Sequence, residues 1–400
     1  MRRSLSSLSL ALSLSASVLF SCSSTTPTDA SPDGGAPADA SAASAAALTM
    51  NDVSVLLPIP ASPSAAGTLG PDDSGKKGPL LLQATYDKIP KFGVKPAQGL
   101  DFARMRVVAV RFDGCFPRPE GCEAQIRLVM QPITDDGQTL DSALHLFYHL
   151  EPSELATVVS ELRRLHTLAP ELPAGKTGPL DVHPALVAQG LDGAYGKALR
   201  ELVLRFAGDD SFVRMTFFLR APPKEEEWFF GGFDRVDGAL RQLDIVGVGK
   251  SNQRVNRPIR PDGYTYTFTP SPKLPENIDV LLSTEAAKSA TPEAREAAVA
   301  ALARIENPAK YGPDQLSCAG CHVSTFVGES VKNAHGLDTT KMPDAFRTTH
   351  DVSRTTEAAL EPSSLRAFGY FADRKMIGNR VIFESAAVVD DLEKRFPVAK

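Results

Sequence analysis

Apolar positions recur with a helical period in three long stretches of the chain and with a strand period in several shorter ones. Pro152 suits the first position of a helix, and Leu155, Val158, Leu162 and Leu165 then form one apolar stripe. Thr291-Pro292-Glu293 predicts a second start, with Thr as N-cap, Pro at the first helical position and an acid in the first turn. Its small-residue face is Ala294, Ala298, Ala301 and Ile305, and the helix is expected to end near Asn307-Pro308. A third stripe, Ile382, Ala386, Val389, Leu392 and Phe396, predicts a terminal helix from about Val381 to Phe396. A weaker helical signal covers Pro184 to Leu191, and Ala198 to Phe206 suits helix or strand.

Runs rich in β-branched and aromatic residues predict strands elsewhere. Asp52 to Leu57 reads as an edge strand stopped by Pro58 and Pro60. Further strands are expected at Met105 to Phe112, Ala124 to Met130, Phe212 to Leu219, Glu227 to Phe230, Leu243 to Val248 and Tyr264 to Phe268. Leu144 to Leu150 alternates, with Leu144, Leu146, Tyr148 and Leu150 on one face and His145, Phe147 and His149 on the other. No third metal ligand is evident near the two histidines, so that face reads as half-exposed sheet. Strands in runs, with helices between them and no regular βαβ alternation, predict an α+β domain with a mostly antiparallel sheet over residues 48–285. Trp228, beside Phe229, Phe230 and Phe233, reads as core closing over the sheet rather than as a docking patch.

The 400 residues leave room for two domains and a tail, and the net charge of −5 gives no basic footprint for nucleic acid. Arg2 and Arg3 precede a short apolar run, Leu8 to Phe20, which reads as a secretory signal over residues 1–21, too short and wrongly flanked for a spanning helix. The paired arginines are followed by Ser4-Leu5-Ser6, which does not resemble the twin-arginine signal. The ending Leu19-Phe20-Ser21-Cys22 resembles a bacterial lipobox, which implies cleavage before Cys22 and a lipid on Cys22; plain signal-peptidase cleavage is the alternative. Residues 22–47 contain almost no large apolar side chain and read as a flexible tether. Ser23 after the lipid site is compatible with the periplasmic face of the outer membrane.

The strongest chemical signal is Cys318-Ala319-Gly320-Cys321-His322. A C-x-x-C-H run places two sulfurs on one turn and an imidazole directly after them. Half a zinc knuckle would need further ligands, and only His335 and His350 follow. A redox disulfide would not need the adjacent histidine. The run resembles the haem-attachment site of c-type cytochromes over the last quarter of the chain. That resemblance implies haem c joined through Cys318 and Cys321, with His322 as the proximal iron ligand. It also implies a small all-α cytochrome c-like domain over residues 286–400. Met376, shortly before the terminal helix, and Met342, in Lys341-Met342-Pro343, are the family-like distal ligands, with His335 or His350 as alternatives. Leu365 to Phe371 is expected to wall the porphyrin, with Arg366 a partner for a propionate.

The five cysteines then sort without remainder: Cys22 to lipid, Cys318 and Cys321 to haem, and Cys115 with Cys122 to a disulfide at the ends of a predicted hairpin loop. Gly247-Val248-Gly249-Lys250-Ser251 looks like the end of a P-loop, but the first glycine of that motif would fall at Asp244. No acid-base pair or nucleophile stands out in residues 48–285. The expectation is an exported, lipid-anchored one-electron carrier with an unidentified redox partner protein. The alternatives are a haem-dependent oxidoreductase or peroxidase-like enzyme, and a ligand-binding or scaffold lipoprotein with structural haem.

Overall fold

The computed structural model describes residues 47–90, 101–118, 121–139, 141–170, 172, 178–221, 225–249, 251–258, 265–355 and 361–398. The expected signal, the lipidation site Cys22 and almost all of the tether lie outside these residues. A short helix, α1 (Met50–Val53), runs directly into β1 (Ser54–Leu56). Two small strands, β2 (Ser74–Gly75) and β3 (Gly78–Pro79), and a helical turn, α2 (Gln83–Tyr86), lead to the long hairpin β4 (Met105–Arg118) and β5 (Gly121–Pro132). Then come β6 (Ala143–Leu150) and three helices, α3 (Pro152–Thr167), α4 (Pro184–Gln189) and α5 (Ala194–Phe206). Strands β7 (Phe212–Ala221), β8 (Glu225–Val236), β9 (Ala239–Gln242), β10 (Asn252–Pro258) and β11 (Thr269–Ser271) follow. The chain closes with α6 (Thr284–Ser289), α7 (Pro292–Glu306), α8 (Cys318–His335), the hairpin β12 (Phe368–Phe371) and β13 (Arg374–Ile377), and α9 (Asn379–Arg395).

Nine strands form one sheet in the order β1-β4-β5-β6-β7-β8-β10-β11, with β9 paired to β8, and every ladder is antiparallel. The expected mixed fold with a large antiparallel sheet is therefore what the chain adopts. Its two faces are dressed differently. Leu144, Leu146 and Tyr148 of β6 share one apolar cluster with Leu155, Val158 and Leu162 of α3 and Leu199 and Leu202 of α5. On the other face Phe218, Trp228, Phe230 and Val255 pack with Val299 and Leu302 of α7 and Val323, Phe326 and Val327 of α8. Helix α9 sits near the β1 edge, where Ser385 Oγ meets Ser54 Oγ at 2.7 Å and Arg111 pairs with Glu384 at 2.9 Å. Residues 286–400, expected to be all-helical, thus carry a β-hairpin between α8 and α9 and pack on the sheet at two places.

Several elements follow the periodicity closely. Helix α3 buries its whole predicted stripe, and α7 begins as its sequence dictates, with Thr291 Oγ1 accepting from the Ala294 N–H at 3.2 Å. The predicted edge strand is shorter than expected because Asp52 is drawn into a cap, its carboxylate accepting from the Thr49 N–H and hydroxyl at 2.7 Å each. Leu243 to Val248 is a turn rather than a strand: Gly247 and Gly249 have φ of 71° and 64°, the left-handed region that breaks a ladder. Described residues of the Tyr264 to Phe268 stretch make only an isolated bridge, at Thr267, before β11. Strands β9 and β10 were not predicted. The first is a hairpin on the Asp237-Gly238 turn, both residues at positive φ, which is a readable signal. The second is too polar to stand out, burying Gln253 and Arg257 beside Val255.

The disulfide Cys115–Cys122 forms as expected, with a Cα–Cα distance of 4.8 Å. It lies within the extended hairpin rather than at the ends of a loop, because β4 and β5 continue past it. Trp228 is fully enclosed core. Among the described residues no helix is long and apolar enough to cross a membrane.

Candidate functional site

Cys318 and Cys321 occupy the first turn of α8, one helical turn apart, so both thiols lie on one face. Three contacts fix that turn. Ser317 caps it by accepting from the Gly320 N–H at 3.2 Å, and the Ala319 N–H donates to Gln253 Oε1 on β10 at 2.8 Å. The Glu276 carboxylate accepts from the Ser317 N–H at 3.2 Å, where the positive end of the helix favours an anion. A Cβ on Gly320 would come within 2.9 Å of that carboxylate, so glycine here leaves room for it.

His322 is held by what its ring touches. Its Nδ1 lies 2.7 Å from the Leu365 carbonyl, which can only accept, so Nδ1 carries the proton and Nε2 keeps its lone pair. Burial pushes the imidazole down to about 4, against the Leu365 hydrogen bond and with help from the Arg366 charge, and the ring is neutral at pH 7. It stacks on Phe218 at 5.0 Å and tilts against Phe230 at 4.9 Å. Behind Leu365, the buried Asp141 carboxylate accepts from the Leu365 N–H, Ser364 Oγ and Trp228 Nε1 at 2.8–2.9 Å. Asp141 therefore fixes the segment whose carbonyl orients His322.

The thiols and His322 line a cavity of about 320 Å3, within the range of about 300–1,000 Å3 usual for small-molecule sites. The opposite wall comes from the sheet. Arg127, Phe147 and Arg214 stand in one cross-strand row and His145 and Thr216 in the next, on the same face as Phe218 and Phe230. Arg127 pairs with Asp113, Arg214 with Asp234 and Asp314, and Arg380 with Glu384. Burial works to raise the Glu384 carboxyl, but the guanidinium groups of Arg380, Arg111 and Arg127 overcome it and hold the group down to about 2.

Two buried polar groups beside the motif carry nitrogens that make no hydrogen bond among the described residues. Arg366 stacks its guanidinium over Phe218 at 4.4 Å and stands 3.8 Å from Asp141, yet none of its three nitrogens makes a hydrogen bond among the described residues. Burial pushes it down to about 10, with Asp141 opposing. His145 Nε2 is buried with no hydrogen-bond partner among the described residues, and burial, then the Arg366 charge, hold its imidazole well below the usual histidine range. Burial also pushes both thiols up to about 12, so neither is a thiolate at neutral pH. Among the described residues no group of three His, Cys, Asp or Glu side chains is placed to hold a metal ion.

The distal candidates from the sequence fall elsewhere. Met376 is buried in β13 opposite Gly369, and Met342 is buried in the cluster between α7 and α8. His335 ends α8, thirteen residues after His322 and so ~20 Å away along the helix. His350 bonds to Asp390 at 2.9 Å. None of the four lines the cavity, whereas His145, read from the sequence as part of a half-exposed face, does. The readable signal was Leu144 to Leu150 itself, which carries large side chains on both faces and so belongs between two layers. Neither a protein-family model, nor a curated protein, nor a solved structure matches this chain.

Proposed function

We propose that this chain is a c-type haem protein that carries single electrons outside the cytoplasm, anchored to the cell envelope by a lipid on Cys22. The observation that carries the reading is the arrangement around His322. A C-x-x-C-H run opens a helix on the wall of an aromatic cavity, and the histidine's Nδ1 is committed to a backbone carbonyl while Nε2 is left with its lone pair. That is the state in which an imidazole binds iron.

The residues around the motif fit such a group. Phe116, Phe147, Phe218 and Phe230 offer an apolar bed for a flat macrocycle, and the guanidinium of Arg366, which makes no hydrogen bond among the described residues, suits a carboxylate. Arg127, Arg214 and Arg380 add positive charge to the same walls. Haem, when attached, supplies a one-electron iron couple. Cys318 and Cys321 would hold it through thioethers, Asp141 and Leu365 keep the His322 ring oriented, and the aromatic walls exclude water. In this reading residues 286–400 are the haem-bearing part, similar to a small cytochrome c in having a helix before the site and a helix closing the chain, and residues 48–285 form the facing wall.

The test is pyridine-haemochrome spectroscopy on protein made in a host that attaches c-type haem. The expected result is a haem c spectrum that survives denaturation, lost in the Cys318→Ala, Cys321→Ala double variant. A colourless wild-type protein, or haem that extracts into acid acetone, would contradict the proposal.

A further inference from the structure

The wall facing the C-x-x-C-H turn belongs to the sheet, and one of its side chains ends in a buried nitrogen that makes no hydrogen bond among the described residues. His145 sits on β6, paired with Val129 of β5 on one side and Thr216 of β7 on the other, so its backbone is fixed in the middle of the sheet. It lines the same cavity as Cys318, Cys321 and His322. Its Nε2 is buried with no hydrogen-bond partner among the described residues, an arrangement that costs stability unless a ligand recovers it. The other conceivable donors to an iron beside His322, Met376, Met342, His335 and His350, lie away from the cavity.

We propose that His145 supplies the second axial bond to the haem iron, making a bis-imidazole site with one ligand from α8 and the other from the centre of the sheet. The inference rests on the reading of Cys318 to His322 as a haem-attachment site. It means that the site is complete only when the helices after residue 286 are docked on the sheet, so that the two halves of the chain are joined through the metal. It also sets the potential lower than a histidine-methionine pair would, because thioether ligation favours the reduced iron.

The test is absorption and electron paramagnetic resonance spectroscopy of the full mature chain carrying covalent haem. The oxidised wild type is expected to be low-spin with no sulfur-to-iron charge-transfer band. His145→Ala is expected to lose the low-spin signal and become high-spin, and added imidazole to restore it. His145→Met is expected to stay low-spin and gain the sulfur band, which keeps the test open if the alanine variant folds poorly. A sulfur band or a high-spin spectrum in the wild type, or an unchanged spectrum in His145→Ala, overturns the assignment while leaving the haem reading intact. Absence of covalent haem from the wild type overturns both.

Discussion

Consecutive residues of β6 meet two different environments, and the contrast separates what folds this chain from what it is built to hold. Leu144, Leu146, Tyr148 and Leu150 are wholly enclosed in an apolar cluster shared with α3 and α5. His145 and Phe147 point the other way, into a space rimmed by Arg127, Arg214, Arg380 and Glu384 and closed by the first turn of α8. The first face is continuous apolar packing, the ordinary source of stability. The second gives up that packing for buried charge, nitrogens that make no hydrogen bond among the described residues, and a cavity, features that cost stability and persist where a site needs them. The same strand thus serves a core and a candidate haem pocket.

The sharpest way to break this division is at Asp141. Asp141→Asn removes the carboxylate that faces the buried Arg366 and weakens the support of Leu365, and is expected to cost about 3–5 kcal/mol in denaturant unfolding. It should also shift the haem potential, because the carbonyl that orients His322 is loosened. Leu146→Ala, on the other face, should cost about 2–5 kcal/mol by the cavity it opens and leave the haem spectrum unchanged. A spectral change in Leu146→Ala, with none in Asp141→Asn, would reverse the roles given to the two faces.

Acid should weaken the pocket side through Glu384. Glu384 is held down to about 2 from an ordinary value of 4.5, so its contribution, about 3 kcal/mol, is present above pH 4.5 and is lost as pH falls towards 2. Stability measured between pH 6 and pH 3 should therefore fall less steeply in Glu384→Gln than in the wild type. The smallest effect is expected at the disulfide. Reducing Cys115–Cys122, which closes a short loop, should cost about 2.5 kcal/mol and leave covalent haem in place.

Legibility in the sequence followed range. Helices α3, α7 and α9 were readable because their stripes and caps are local, and so were the hairpin disulfide and the C-x-x-C-H turn. The β-rich character of the first part was legible from its runs of alternating residues, although β10 was hidden by its polar side chains, whose burial depends on pairs such as Arg257 with Glu226. The pocket was not legible beyond the motif itself. His145 and Arg366 matter because buried nitrogens of both make no hydrogen bond among the described residues, and that is a property of the packed chain. Asp141 likewise reaches His322 through Leu365, more than two hundred residues further along the chain, and Trp228 bonds to the same carboxylate.

Intact mass of the purified mature protein, made in a host able to attach c-type haem, tests the central claim most directly. The account predicts one haem added covalently to each chain and lost when Cys318 and Cys321 are replaced. A mass equal to that of the polypeptide and its lipid alone would contradict it.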